Sequence, residues 1–260
     1  MIKKITFFLF FVFLFCLPGF AFENKWNTLK STHFIVYYQN ATDSFLRQVV
    51  DNSEEYYNKI AERLGFTRYN FWLWDNRAKI YIYDDAKKYQ EATKQPTWSV
   101  GCASIENKVI SSFPFAKGFF EVVLPHEMGH IIFREFVGFT NPAVARWLDE
   151  GVASYQQDTQ DPQGRKLIRE ALNDGSFMNF EKLVAFDAEQ NHDEKAIALF
   201  YAESVSIIQF LMKDFGKDAF VYFCQNLRDT HDFNTALRRV YSFSSADGLD
   251  KTWQHSLTEK

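Results

Sequence analysis

Two histidines and a glutamate in the segment "VVLPHEMGHIIF", residues 122–133, have residue types and a spacing that could form a zinc-hydrolase centre. On an α-helix, residues four apart lie on one face, so His126 and His130 can turn their imidazoles toward one point. Neutral imidazole is a good zinc ligand. Glu127 points aside from these ligands, where its carboxylate can take the proton of a water that attacks a carbonyl. The five-letter pattern alone is also compatible with three ordinary polar residues on an apolar helix.

A hydrolytic zinc site needs a third protein ligand and an open fourth position. One class of site takes a third histidine from the longer pattern H-E-x-x-H-x-x-G-x-x-H. This class is excluded, because Phe133 and Phe136 occupy the Gly and His positions of the extension. Another class takes a glutamate from a second helix. Glu150, in "RWLDEGVASY", lies on the next predicted helix, and the turn "VGFTNP" would bring that helix back against the first.

The segments "HEMGH" and "WLDEGVASY" together resemble the gluzincin superfamily of zinc metallopeptidases, which includes thermolysin-like enzymes. They are most similar to bacterial peptidase MA-like domains. The segments "FYAESVSIIQFLMKDFG" and "ALRRVYSFSSADGLDKTWQHSL" also resemble the helical tail of MA-like domains. The resemblance implies one zinc ion bound by His126, His130 and Glu150, with Glu127 as general base and proton shuttle.

Peptide hydrolysis also needs a donor for the oxyanion of the tetrahedral intermediate. Gluzincins draw a Tyr or His from a helix downstream of the third ligand, and Tyr201 is the best match. His192 and Tyr155 are weaker candidates, and packing among apolar neighbours is the alternative role for Tyr201. Neighbours on a helix diverge by about 100°. We therefore expect Asp149 to cap its helix or to face solvent, although it adjoins Glu150.

The segment "ASIEN", residues 103–107, bears on the kind of peptidase. Zinc aminopeptidases of the superfamily carry a G-x-M-E-N strand whose Glu holds the free amine of the substrate. Here Ala103 and Ile105 replace the Gly and the Met, while Glu106 and Asn107 match. A Glu-Asn pair is also typical of a hairpin turn. We predict a turn at this position, keep an aminopeptidase using Glu106 as the alternative, and expect an edge strand here in both cases.

The elements that must position these residues divide the chain into two parts. Alternating β-branched and aromatic residues predict strands in the first part, and 3.6-residue periodicity predicts helices in both parts. Together they indicate an α+β, zincin-like fold, with an α/β lobe of mixed sheet and active-site helix over about 22–138 and a mainly helical lobe over about 139–260. The predicted strands are 32–38, 78–85 and a hairpin around 99–113; the predicted helices are 43–64, 86–93, 145–157, 164–175, 194–216, 217–228 and 233–242.

The N-terminus has the pattern of a secretory signal peptide over residues 1–21. A basic start precedes thirteen apolar residues, Ile5 to Leu17, and small residues offer a cleavage site after Ala21. Thirteen residues fall short of the ~20 that cross a bilayer. We therefore expect an exported protein, periplasmic or secreted, with no stable membrane span after cleavage. Cys102 and Cys224 then remain, either as a disulfide or as buried thiols.

Composition narrows the choice of partner. The chain has 260 residues, 47% of them hydrophobic, which suffices for a sizeable core. The formal charge of −4 becomes about −6 when Lys3 and Lys4 are removed with the signal, and no basic block remains for nucleic acid. The sequence predicts a zinc-dependent metallopeptidase acting on peptides or proteins. The alternative from another class is a zinc-stabilised envelope binding protein without turnover. The sequence leaves the oligomeric state open.

Overall fold

The computed structural model describes residues 26–66, 72–97, 99–157, 162–188 and 190–258. The predicted signal peptide, residues 1–21, lies outside these ranges. The described residues form five strands, β1 (Asn27–Lys30), β2 (Phe34–Tyr38), β3 (Ala78–Ile82), β4 (Gly101–Ser104) and β5 (Val109–Ser112), and ten helices, α1 (Asp43–Leu64), α2 (Ala86–Thr93), α3 (Leu124–Val137), α4 (Arg146–Tyr155), α5 (Pro162–Asp174), α6 (Phe180–Ala185), α7 (Glu194–Asp214), α8 (Gly216–Thr230), α9 (Phe233–Tyr241) and α10 (Ala246–Thr258). The fold is α+β, as predicted.

The strands form one mixed sheet in the order β1-β2-β3-β5-β4. The three central strands run parallel, and β1 and β4 join the edges in antiparallel pairing. Val36, Ile80 and Ile110 are neighbours in register across the centre and are fully buried. Their side chains belong to the same core as those of α1 and α3. Helix α3 therefore packs against the sheet, in contact with β4 and β5.

Helix α1 has the predicted bounds because both of its ends are marked in the sequence. The Thr42 hydroxyl accepts a hydrogen bond from Phe45 N at 3.3 Å, which caps the first turn. Gly65 ends the helix in the left-handed region, with φ of 77°. Between these ends, apolar residues at helical spacing turn inward, and the helix contacts α3 and α8. Helix α1 therefore packs against both α3 and strand β2.

Helix α3 begins immediately after one turn of π-helix over Phe119–Val123. Pro125 lies in the first turn of α3, next to the point where the backbone passes from π-helical to α-helical hydrogen bonding. Pro125 has no N–H to donate, which is compatible with a change of helix type at this position. The predicted hairpin before it is confirmed, with β4 and β5 joined by a four-residue turn.

The second part of the chain is helical, as predicted, and α7 lies at its centre. In the described residues, α7 is the one helix long and apolar enough to cross a bilayer, judged by length and composition alone. It packs against α4, α5, α8 and α10 and buries Phe200, Ile207 and Leu211, so here it is a core helix. Cys102 and Cys224 are both buried and are not joined in a disulfide, so of the two alternatives the structure has buried thiols.

Candidate metal centre

Two glycines in the chemical motifs set the spacing of α3, α4 and α7. A Cβ atom added at Gly129 of α3 would lie 3.0 Å from the Cα atom of Ala153 in α4. A Cβ atom at Gly151 of α4 would lie 2.6 Å from the carbonyl oxygen of Ser204 in α7. Both helix pairs therefore meet at backbone distance. Close packing brings side chains from three helices to one point.

His126, His130 and Glu150 converge as predicted. The Nε2 atoms of the two histidines are 3.1 Å apart, and Glu150 Oε2 lies 3.5 and 3.6 Å from them. Tetrahedral zinc with bonds of about 2.0–2.1 Å separates its ligand atoms by about 3.3–3.5 Å. The two distances from Glu150 exceed those of good hydrogen bonds. Two imidazole nitrogens and one carboxylate oxygen, all buried, therefore fit a zinc ion.

The charges of the three groups suit a cation. Burial opposes ionisation of Glu150, yet its close polar contacts with the two histidines and their charges lower the pKa of this carboxyl to about 2. Burial lowers the pKa of His126. At His130 burial acts in the same direction, but Asp149 and Glu150 outweigh it and raise its pKa to about 10 in the metal-free chain. A metal would take the place of the His130 proton.

The prediction for Asp149 was wrong. Its Oδ1 atom lies 2.9 Å from His130 Nδ1, and its Oδ2 atom accepts a hydrogen bond from Arg134 Nε at 2.7 Å. Asp149 is 7% exposed, so it faces the interior rather than solvent. The divergence of neighbours on a helix does not separate it from the site, because an imidazole has a nitrogen on each side. Glu150 approaches the Nε2 atom of His130 and Asp149 approaches the Nδ1 atom.

Gln157 is a site residue that the sequence reasoning missed. Its side-chain nitrogen Nε2 lies 2.8 Å from His126 Nδ1. When Nε2 of His126 faces a metal, Nδ1 carries the proton, so the Gln157 amide must then be turned to present its oxygen to the ring. Only its position in the sequence could have indicated Gln157 as a site residue, since it ends the segment "RWLDEGVASYQQ" that contains Glu150. Both histidines therefore have a partner on the second ring nitrogen.

Glu127 follows His126 in the chain and is fully buried. The charges of the site also act on Tyr201. Burial raises the pKa of Tyr201 well above its ordinary value. The charges of Glu150 and Glu127 act in the same direction, while a hydrogen bond from Arg146 lowers it. The charges of both carboxylates therefore act on the phenol. Packing among apolar neighbours alone does not describe Tyr201, which is partly buried.

Arg146 was also missed by the sequence reasoning. It is the first residue of α4, and its Nε atom lies 3.7 Å from Glu150 Oε1. The side chains of His126, His130 and Glu150 are at most 3% exposed, whereas that of Arg146 is 27% exposed. Arg146 is therefore the most exposed of these four side chains.

The other candidates lie elsewhere. His192 is exposed before α7, and Tyr155 is the last residue of α4. Glu106 is exposed in the β4–β5 turn, as predicted for a hairpin. The neighbouring Lys108 donates to Glu135 Oε1 at 3.1 Å, which fixes this turn at the last turn of α3. His126 lies in the first turn of that helix, so Glu106 does not belong to the cluster.

Comparison with known proteins identifies the family of the chain. A family model described as "Peptidase MA superfamily" matches residues 74–259, which is more than half of the chain and includes α3, α4 and α7. No curated protein matches the chain.

Proposed function

From the premise that the chain belongs to the Peptidase MA superfamily, and so carries a metallopeptidase-like domain, we propose that it is an exported zinc-dependent metallopeptidase. The observation that carries this proposal is the convergence of His126, His130 and Glu150 at ligand spacing. Two nitrogens and one carboxylate oxygen leave a fourth position for the reacting groups, as in hydrolytic zinc sites. The N-terminal pattern of residues 1–21 supports export.

His126, His130 and Glu150 would hold the zinc ion, which would supply Lewis acidity for the peptide carbonyl and for the attacking water. Glu127 accepts the proton of the attacking water and returns it to the nitrogen of the leaving amine. Asp149 and Gln157 hold the outer nitrogens of the two rings and so orient them. The hydroxyl of Tyr201 donates a hydrogen bond to the carbonyl oxygen as negative charge develops there.

The substrate class is a peptide or protein in extended conformation. β4 is an edge strand of the sheet. An extended segment that pairs with an edge strand gains backbone hydrogen bonds that do not depend on its sequence. The edge position of β4 next to α3 supports peptides over compact small molecules.

The burial of the cluster favours a second candidate, a zinc-stabilised binding protein without turnover. Glu127 is fully buried and the three ligands are nearly so, which is also typical of a structural metal site. The presence of the general base at Glu127 favours catalysis. The aminopeptidase alternative is not proposed, because Glu106 lies in the exposed turn.

The deciding experiment pairs metal analysis with a peptide-library digest of the wild type and Glu127→Gln. We expect both proteins to hold one zinc ion per chain, and the variant to lose roughly 10²–10⁴-fold in cleavage rate because it lacks the base. Glu62→Gln, at an exposed position of α1, is the matched control and should cleave like the wild type. Zinc in both proteins with cleavage by neither would favour the binding protein. A wild type without zinc would overturn the site.

A further inference from the structure

Arg63, in the last turn of α1, contacts the end of α4. Its Nη1 atom donates a hydrogen bond to the carbonyl oxygen of Gln156 at 3.0 Å, although the two residues are 93 positions apart in the chain. Gln156 caps the C-terminal end of α4 and is fully buried. The last carbonyls of a helix have no partner within it, and a cation there also meets the negative end of the helix dipole. A charge-assisted hydrogen bond from Arg63 therefore anchors the end of α4 to α1.

The carbonyl that Arg63 holds belongs to the peptide group that joins Gln156 to Gln157. A peptide group is planar, so fixing its oxygen also fixes the direction of its N–H, which belongs to Gln157. The other end of this group is held as well, since Gln157 N donates a hydrogen bond to Ser154 O at 3.3 Å. The backbone from which the Gln157 side chain starts is therefore fixed at both ends of one rigid plane.

The same end of α4 lies against α3 and reaches the ring of His126. A Cβ atom added at Gly129 would lie 3.0 Å from Gln156 Cγ, so the Gln156 side chain packs directly against this glycine of the histidine motif. The side-chain Nε2 atom of Gln157 lies 2.8 Å from His126 Nδ1. Arg63 therefore holds the segment that supports the ring of His126.

We propose that Arg63 is a positioning residue that holds the side chain of Gln157 against the outer nitrogen of His126 and thereby strengthens metal binding. His126 has a neutral amide at this nitrogen rather than a carboxylate, so the support of the ring depends on where the amide lies. Arg63 acts through the Gln156–Gln157 peptide group. The effect on metal binding rests on the proposed function, whereas the coupling of Arg63 to Gln157 can be tested without metal.

The first test is a double-mutant cycle on the metal-free protein in the presence of a chelator. Arg63→Met, Gln157→Met and the double variant are compared with the wild type in urea unfolding. We expect the midpoint shift of the double variant to be smaller than the sum of the single shifts, because the contact of Gln157 is already loosened once Arg63 is replaced. Arg47→Met, at an exposed position of the same helix, is the matched control and should add independently to Gln157→Met. Additive shifts for Arg63 would overturn the inference.

The second test measures the zinc dissociation constant of the same four proteins by chelator competition. We expect Gln157→Met to weaken zinc binding by about tenfold, at the lower end of the range for lost outer partners of metal ligands. Arg63→Met should weaken it by about three- to tenfold in the wild type, but by less than about twofold in the Gln157→Met background. Arg63→Lys should restore part of the affinity, since an ammonium can still donate to one carbonyl.

The two histidine rings distinguish positioning of Gln157 from a general loosening of the fold. Asp149 contacts His130, so Arg63→Met should weaken zinc binding by the same factor in the Asp149→Asn background as in the wild type. NMR of the zinc-loaded protein gives a second readout, because the Nδ1–H proton of each ring has its own signal. In Arg63→Met the proton of His126 should exchange faster with solvent, and that of His130 should exchange at its wild-type rate.

The outcomes separate this inference from the function on which it rests. An equal loss of zinc affinity in the wild-type and Gln157→Met backgrounds would overturn the positioning role, as would equally faster exchange at both rings. Zinc binding without cleavage would overturn the peptidase function and leave the role of Arg63 supported. A wild type that binds no zinc would overturn the metal site and the effect of Arg63 on metal binding with it. The metal-free unfolding cycle would still decide whether Arg63 positions Gln157.

Discussion

At the scale of single residues, the outer nitrogens of the two histidines decide how firmly the candidate centre can hold a metal. His130 Nδ1 faces Asp149, whose other oxygen accepts from Arg134 on α3. A carboxylate on the outer nitrogen fixes the ring and makes the inner nitrogen a better ligand. His126 has the neutral Gln157 in the corresponding place. The two rings are therefore supported unequally, and His130 has the stronger support.

Asp149→Asn should weaken zinc binding by about 10–100-fold, the range typical of lost outer partners of metal ligands. Asparagine offers one acceptor to His130 Nδ1, but then turns its amide NH₂ toward the donor Nε of Arg134. Chelator competition measures the dissociation constant. Asp51→Asn, at an exposed position of α1, is the control. An unchanged dissociation constant in Asp149→Asn would show that the His130 ring is held by packing alone.

The sequence predicted the residues that face the metal position, but not the residues that contact the outer ring nitrogens of the two histidines. Histidines four apart must share a helix face, and the resemblance to gluzincins implied Glu150 as the third ligand. Asp149 was placed wrongly, because neighbours on one helix point in different directions but an imidazole can be approached from both of its nitrogens. Arg146 and Gln157 act through contacts between helices, and neither contact has a periodic signature in the chain.

At the scale of elements, the spacing of α4 and α7 depends on Gly151. Gly151→Ala should lower the free energy of unfolding by about 1–3 kcal/mol, the range typical of overpacking. The added Cβ would lie 2.6 Å from the carbonyl oxygen of Ser204, and backbone of this kind cannot move aside as a side chain can. The helix would have to shift, and Glu150 with it. Urea unfolding measures the loss, and zinc affinity should fall in the same variant.

Gly248→Ala is the control for this substitution. Gly248 also lies in a helix, α10, but its added Cβ would meet Phe243 and Ser244 only at 3.7 Å, which is ordinary contact. Alanine is favoured over glycine in helices by up to about 1 kcal/mol, so this variant should be as stable as the wild type or more stable. Equal effects at the two positions would mean that α4 and α7 are not in close contact.

Elements were predictable where local signals agreed. Helix α1 has apolar periodicity, the Thr42 cap and Gly65, and its bounds were predicted to the residue. Strand β1 and helix α6 were missed because they are short and depend on pairing or packing with distant segments. The π-helical turn before α3 was also missed. Its hydrogen-bond pattern leaves no separate mark in a run of apolar residues.

At the scale of the whole molecule, α7 joins the candidate centre to the C-terminal helices. One side of it carries Tyr201 and the backbone of Ser204, which meets α4. Another side carries Glu203, which is fully buried; its Oε1 atom accepts a hydrogen bond from Met178 N at 3.1 Å. Asp250 of α10 is close enough to act on its charge. Because Glu203 is buried in the packing of α7, its protonation makes the stability of the fold depend on pH.

Burial raises the pKa of Glu203 from 4.5 to about 8; Asp250 acts in the same direction and the Met178 N–H opposes it. Between pH 4.5 and 8 the folded chain keeps a proton that the unfolded chain has lost, so this group lowers stability as pH rises, by at most about 1.4 kcal/mol per pH unit. Glu203→Gln removes this dependence. In urea unfolding of the metal-free proteins, the free energy of unfolding of Glu203→Gln should therefore increase relative to that of the wild type from pH 5 to pH 8. Glu181→Gln, exposed on α6, should keep a constant difference from the wild type over the same range. Parallel curves for Glu203→Gln would mean that the carboxyl is ionised throughout this range, with a counter-charge or water beside it.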